Sequence, residues 1–335
     1  MLYEIPQLEL VQPETIEEAT HWLSHYGDKA KIIAGGTDLL GLLKDNVSGP
    51  KFPVPEVLVD IGKIEKMRSI TVADNQELVI GAGVTLSKLA NSRLVTEKFK
   101  ILAEAANSVA TPQIRNAGTV GGNLCQRPWC WYFRNNAFPC FKKGGKQCYA
   151  IPGEHKYYFS TLGLGTCVMS HPSDLAPAFV ALDASVTIAG SEGTRKIPIS
   201  KFFLGPKDVF ENVLKENEIL TGVTVPMRYE EYDGVYMKDR IRQTWDLSLA
   251  SAAVALKMSD GVCTDARICL GGVAPYPYRS EPAEEVLRGH HPDEESATKA
   301  SDAAFEKSKP LPMTRYKVQI GKVILKRAIN RALGF

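Results

Sequence analysis

The sequence predicts an α+β protein in two parts, and three observations carry that expectation. A short apolar strand feeds a diglycine turn and a helix at residues 31–43. A second glycine-rich run, Gly118 to Asn123, repeats the theme and opens a segment holding five of the seven cysteines. Beyond residue 218, strand patterns give way to three helical stretches, as in an antiparallel sheet with helices on one face.

In order, Thr15 to Tyr26 reads as a helix, with Thr15 as cap and Glu18 three residues on, a capping-box pattern. Lys31 to Ala34 is a short buried strand, Gly35-Gly36-Thr37-Asp38 a turn, and Leu39 to Leu43 a helix. Val57 to Ile61 is a strand, and Arg68–Val72 with Glu77–Ala82 form a hairpin around Asp74-Asn75. Helices are expected at Thr85–Asn91 and Val95–Val109, then at Leu175–Leu182, followed by strands at Ser185–Ala189 and Lys196–Ile199. Glu218–Val225 is a strand stopped by Pro226. The C-terminal part reads as strands at Gly234–Arg242, Ala252–Met258 and Asp265–Gly271, with helices at Ala283–Leu287, Glu294–Lys307 and Val318–Leu333. Leu247–Ser251 is a turn or short strand. The expected division is 1–212 and 213–335, the first part splitting into about 1–56 and 57–212.

With 335 residues, a well-buried core is available. A net charge of +2 gives no electrostatic footprint for nucleic acid or an anionic membrane, and no apolar run is long enough to span a bilayer. The opening MLYEIPQLEL lacks a basic segment followed by an apolar one, so a cytoplasmic location is expected, or a periplasmic one only by export with a signal-bearing partner. Disulfides are then the weaker reading of the cysteines, and a metal or redox role gains.

A strand, diglycine turn and helix start present backbone N–H groups at the positive end of a helix, which suits a phosphate. Two such nests suit a diphosphate. Cys125, Cys130, Cys140, Cys148 and Cys167 lie in a loop-rich stretch, and thiolate sulfur is a soft ligand for zinc, copper(I) or iron–sulfur clusters. Cys263 and Cys269, in a C-terminal hairpin, read as buried small apolar residues, and His171 as a packed side chain or one that orients its loop.

Three runs resemble one family. Ala34-Gly35-Gly36-Thr37-Asp38-Leu39, the stretch TPQIRNAGTVGGNL from Thr111 to Leu124, and Ser173-Asp174-Leu175-Ala176 are similar to the FAD-binding medium subunits of molybdenum hydroxylases, the xanthine dehydrogenase, carbon monoxide dehydrogenase and aldehyde oxidoreductase group. The likeness spans residues 3–330 and implies a two-subdomain FAD-binding (PCMH-type) domain followed by that family's flavoprotein C-terminal domain. In most members the glycine run leads almost directly to the Ser-Asp-Leu-Ala motif, whereas here residues 125–168 intervene. The insert resembles those of 4-hydroxybenzoyl-CoA reductase and bacterial aldehyde oxidoreductase flavin subunits, which hold an additional 4Fe-4S cluster. QRPWCWYFR is closer to the aldehyde oxidoreductase version.

Carried over residue by residue, the resemblance implies FAD contacts at Ile32, Ile33, Ala34, Gly35, Gly36, Thr37, Asp38 and Leu39, and at Thr111, Asn116, Gly118, Thr119, Val120, Gly121, Gly122 and Asn123. Residues 32–39 and 119–123 are expected to wrap its diphosphate and ribityl chain with backbone N–H groups. Asp174, Leu220 and Lys238 match further flavin contacts, Lys238 as a cation near the ring; on residue type alone it is a solvated strand lysine. The implied cluster ligands are Cys130, Cys140, Cys148 and Cys167, with Cys125 a bystander near the flavin; a set with Cys125 in place of Cys130 is the alternative. Trp129, Trp131, Tyr132 and Phe133 are expected to shield the cluster.

The chain carries no nucleophile–base constellation. The resemblance therefore implies an electron-transfer subunit whose substrate chemistry belongs to a large molybdopterin subunit, with a small 2Fe-2S subunit, in a heterotrimer or dimer of heterotrimers that meets an external redox partner. The complex is expected to be an aldehyde oxidoreductase or a 4-hydroxybenzoyl-CoA reductase-like enzyme. A self-sufficient FAD-dependent oxidase would leave the cysteines unexplained, and a zinc-binding structural protein would be colourless.

Overall fold

The computed structural model describes residues 5–335; residues 1–4, part of the run read for an export signal, lie outside the described residues. Three sheets organise the chain. In the first, β1 (Glu9–Val11) and β2 (Ala30–Ile33) flank β3 (Val57–Asp60), all parallel. Between β1 and β2 runs α1 (Ile16–Tyr26), and α2 (Leu39–Lys44) follows β2. The cap of α1 forms as expected, with the Glu18 N–H donating to Thr15 Oγ1 at 3.1 Å. The reciprocal half differs: the Glu18 carboxylate accepts from the N–H of Glu14, one residue before the cap.

The second sheet is antiparallel. It contains β4 (Ile70–Ala73), β5 (Glu77–Gly81), β6 (Ser185–Gly190), β7 (Gly193–Pro198) and β8 (Ile219–Pro226), in the order β4-β5-β8-β6-β7. Inserted into it are α3 (Leu86–Asn91), α4 (Arg93–Lys98), α5 (Lys100–Ser108), α6 (Pro112–Ala117), α7 (Val120–Cys125) and α8 (Leu175–Ala181). The helix expected over 95–109 is broken at Phe99, whose φ of −135° and ψ of 54° separate α4 from α5.

Residues 57–60 pair with both strands of the first sheet, which ties the segment beyond residue 56 to the one before it. Beyond residue 212, β8 pairs Val225 with Leu78 and Val223 with Val186, which ties it to the sheet of the first part. Its nearly continuous burial is that of a central strand covered on both faces.

The third sheet, β12-β11-β10-β9, joins β9 (Asp233–Asp239), β10 (Ala250–Ser259), β11 (Val262–Gly271) and β12 (Tyr278–Arg279). It is covered by α9 (Glu281–Leu287), α10 (Glu294–Phe305) and α11 (Arg315–Leu333). Ala252, Val254, Leu256, Ile268 and Leu270 pack against Leu325, Ala328 and Ile329. Hence the α+β layer architecture holds. Arg240 to Leu249, expected partly as strand, form instead the loop between β9 and β10. Among the described residues no helix is long and apolar enough to cross a membrane.

Candidate functional site

The strand β2 ends on Ile33, and the chain reverses through Gly35 and Gly36 into α2. Gly36 has φ +68°, a left-handed conformation that costs other residues energy. Gly35 is required for a different reason. A Cβ there would stand 2.0 Å from the carbonyl oxygen of Ala117 and 2.8 Å from the nitrogen of Gly118. The two glycine runs therefore lie against each other, backbone to backbone.

Their donors are spent differently from the expectation. In the second run, the N–H of Gly118 donates to Ile114 O, that of Val120 to Val84 O, and that of Gly121 to Ala82 O. Gly122 donates to Thr119 Oγ1 and Asn123 to Thr119 O. These bonds build α7 and fasten it to the β5–α3 loop, and of this run Thr119 alone keeps an N–H without an acceptor among the described residues. In the first run, the N–H groups from Gly35 to Leu39 have no hydrogen-bond acceptor among the described residues. They are the orphan donors of a helix start, groups of the kind that suit an anion.

Between the runs lies a groove of two joined chambers of about 250 and 460 Å³. Both are lined by Thr37, Asp38, Gly118, Thr119, Gly122 and Gln126. The inner chamber adds residues 31–36, Leu39, Gly121, Cys125, Arg127 and Leu220. The outer adds Asn123, Trp129, Tyr158, Asp174, Arg242, Trp245 and Asp246. Of the residues carried over by resemblance, Thr111, Asn116, Val120 and Lys238 do not line it. Thr111 caps α6 by accepting from Ile114 N–H at 3.3 Å. Asn116 accepts from the Ser87 hydroxyl at 2.5 Å, and Val120 is wholly buried in the hydrophobic core.

Lys238 is no solvated lysine. Its side chain is 3% exposed, and Nζ lies 2.7 Å from Asp174 Oδ2. The other oxygen of Asp174 accepts from Tyr236 Oη at 2.7 Å. Ser173 donates to Asn123 Oδ1 at 2.6 Å, joining the Ser-Asp-Leu-Ala motif to the glycine run across the insert. A buried carboxylate is thus held by two donors at the edge of the outer chamber.

Asp38, at the cap of α2, does not cap it with its side chain. One oxygen accepts from Arg127 N–H at 2.8 Å, and the other pairs with the guanidinium of Arg134. Arg134 in turn lies 3.8 Å over the Trp129 ring. Asp38 thereby ties the first glycine turn to the insert. Sequence reasoning missed Arg127 and Arg134; their signal was two arginines in a run otherwise aromatic and apolar. It missed too Tyr158 and Asp246, bonded at 2.5 Å, because 88 residues separate them.

The insert folds around its own apolar cluster. Cys130, Cys140 and Cys167 are buried with Leu42, Phe52, Phe133, Phe159 and Met169, and Cys148, Trp131 and Tyr132 pack against them. Trp129, expected among these shielding aromatics, faces the outer chamber instead. The Cys167 thiol donates to Cys148, which pulls Cys148 down to about 6, helped by the N–H groups of Val168, Ala150 and Ile151, and drives Cys167 up. Burial pushes Cys130 up to about 12, although the N–H groups of Phe133 and Tyr132 favour its thiolate. Cys140 is raised by burial, against the N–H groups of Lys142 and Lys143. Cys125 has no such donors; burial alone raises it to about 12, and it lines the inner chamber. Among the described residues no three His, Cys, Asp or Glu side chains close on a point that would hold one metal ion.

His171 is buried, brought down to about 3 by burial and by Lys142, and stands edge-on to Phe203 at 4.8 Å, a packed histidine. Cys263 and Cys269 are fully buried in the C-terminal sheet region, as expected.

Residues 6–228 match the FAD binding domain in molybdopterin dehydrogenase, and residues 236–332 the CO dehydrogenase flavoprotein C-terminal domain. The chain belongs to the FAD-binding medium subunits of the molybdenum hydroxylase family and is an oxidoreductase subunit. It is 30% identical to the carbon monoxide dehydrogenase medium chain of Hydrogenophaga pseudoflava, over 98% of this chain and 97% of that one. It is 33% identical to the aldehyde oxidoreductase FAD-binding subunit of Escherichia coli (strain K12), over 90% and 91%. Among solved structures, carbon monoxide dehydrogenase from Hydrogenophaga pseudoflava superposes with a TM-score of 0.77 at 29% identity, covering 99% of both chains.

Proposed function

We propose that this chain is the flavin- and iron–sulfur-carrying subunit of a three-subunit molybdenum hydroxylase of the aldehyde oxidoreductase or 4-hydroxybenzoyl-CoA reductase type. Its partners in this reading are a large molybdopterin subunit and a small 2Fe-2S subunit, in a heterotrimer or dimer of heterotrimers. The relatives named as carbon monoxide dehydrogenase medium chain and aldehyde oxidoreductase FAD-binding subunit support that placing. Seven free cysteines suit a reducing, cytoplasmic compartment.

The groove fits FAD. The N–H groups of Gly35 to Leu39 would hold its diphosphate, Ile32, Ile33 and Leu220 would give the inner chamber an apolar wall, and the Asp174–Lys238 pair would face its polar edge. Bound there, FAD would supply one- and two-electron chemistry.

The observation that carries the finer reading is the gathering of Cys130, Cys140, Cys148 and Cys167 in one apolar pocket, with backbone N–H groups directed at each sulfur. Such donors stabilise thiolate ligands and tune a cluster. Four thiols gathered in one pocket match the donor number that a 4Fe-4S cluster takes. When bound, the cluster would supply one-electron chemistry. Cys125, at the inner chamber, is left as the bystander.

The experiment is anaerobic purification of the complex, with iron, acid-labile sulfide, flavin and molybdenum measured together. About four irons per flavin beyond those of the small subunit are expected; their absence would refute the cluster, and absence of flavin the whole reading.

A further inference from the structure

The insert buries more positive charge than its carboxylates balance. Lys142 and Lys143 are 4% and 1% exposed. Arg127 spans the aromatic rings of Phe52 and Phe133 and is nearly as covered. Against these three cations stands Glu211, 1% exposed, 2.7 Å from Arg127 Nη1 and 3.1 Å from Lys142 Nζ. Lys142 Nζ also donates to Phe210 O at 3.1 Å. Lys143 Nζ donates to Asn135 O at 2.7 Å and makes no ion pair among the described residues. Arg134 is matched separately by Asp38.

Buried cations in such excess are unfavourable unless another anion shares the site. The neighbouring candidates are sulfurs. The backbone N–H groups of Lys142 and Lys143 point at Cys140, the charge of Lys143 acts on Cys140 and Cys130, and that of Lys142 on Cys167. A cluster held by four thiolates is an anion, and it becomes more negative when reduced.

We propose that Lys142 and Glu211 set the reduction potential of the insert's iron–sulfur cluster in opposite senses, Lys142 favouring the reduced form and Glu211 opposing it. The inference rests on the reading that Cys130, Cys140, Cys148 and Cys167 hold that cluster. Both side chains are almost fully withdrawn from water, so their charges are weakly screened. Glu211 also holds Lys142 in place, through the contact that partly cancels its charge. Neither touches the reacting atoms of a substrate; they are positioning residues acting through charge.

The test is an EPR-monitored redox titration of the cluster in the intact, anaerobically prepared complex, with iron, sulfide and FAD measured on the same samples. Lys142→Gln is expected to lower the midpoint and Glu211→Gln to raise it, each by at least tenfold in the reduced-to-oxidised ratio, which is about 59 mV for one electron. Lys142→Arg keeps the charge and is expected to stay near wild type. A merely structural disturbance would move Lys142→Gln and Glu211→Gln in the same direction. That outcome, or no movement with iron and sulfide retained, overturns the proposal. Should Lys142→Gln lose its cluster, Glu211→Gln decides alone, and an unchanged or lowered midpoint overturns it. Wild-type complex without acid-labile sulfide overturns the underlying cluster reading, an outcome visible before any variant is titrated.

Discussion

Lys238 Nζ lies 2.7 Å from Asp174 Oδ2, with the two side chains 3% and 5% exposed. The pair joins β9 of the C-terminal sheet to the cap of α8, at the rim of the outer chamber. It couples the two halves of the chain where the flavin is proposed to lie.

Lys238→Ala leaves Asp174 buried with Tyr236 as its remaining side-chain donor. Breaking a buried pair from one side costs about 3–5 kcal/mol, and we expect that loss in urea unfolding together with a lower flavin midpoint potential. Lys238→Met with Asp174→Asn removes both charges and is expected to recover most of the stability but not the potential. Equal recovery of both would deny Lys238 a role at the flavin.

The diglycine turn separates shape from donors. Gly35→Ala drives a Cβ onto the Ala117 carbonyl, a rigid backbone atom, whereas Gly36→Ala meets the movable Leu40 side chain at 2.9 Å and a strained φ. Gly36→Ala is expected to cost about 1–3 kcal/mol, and Gly35→Ala more. FAD per polypeptide and thermal midpoint together check the order.

Replacing Cys130, Cys140, Cys148 or Cys167 singly by Ser is expected to remove the insert's iron and sulfide. Cys125→Ser should keep both, since its sulfur lies at the inner chamber without the N–H donors that surround the other four. Loss of iron from Cys125→Ser would reverse the ligand assignment.

Lys317 on α11 is fully buried, donating to Phe159 O and Gly272 O at 2.7 Å each, and burial lowers it from 10.5 to about 7. A lysine lowered by folding is charged in both states below about pH 7, so the cost of burying that charge is then complete. Between pH 7 and 10.5 the unfolded chain holds more protons, and stability rises with pH. Lys317→Met is expected to flatten that rise; denaturant melts across this range decide, and an unchanged slope would assign it to other groups.

How much of this was legible in advance depended on range. Thr15, Thr111 and Thr119 each accept a bond three residues ahead, and such local patterns can be read from the residues. So could the period of α11, since apolar spacing reports which face is covered. The glycine runs were legible as close-approach backbone, but which run kept its donors was not, because the competing acceptors Val84 and Ala82 come from elsewhere in the chain.

By itself the sequence determined the kinds of element, the two glycine runs and the supply of thiols, because these follow from side-chain type and short-range spacing. Tertiary structure alone decided that β8 joins the first part's sheet, that Trp129 faces the groove while Cys130 faces the other cysteines, and that Lys238 is buried against Asp174. Those outcomes turn on long-range packing and desolvation, energies that belong to pairs of residues distant in the chain and so have no local pattern to announce them.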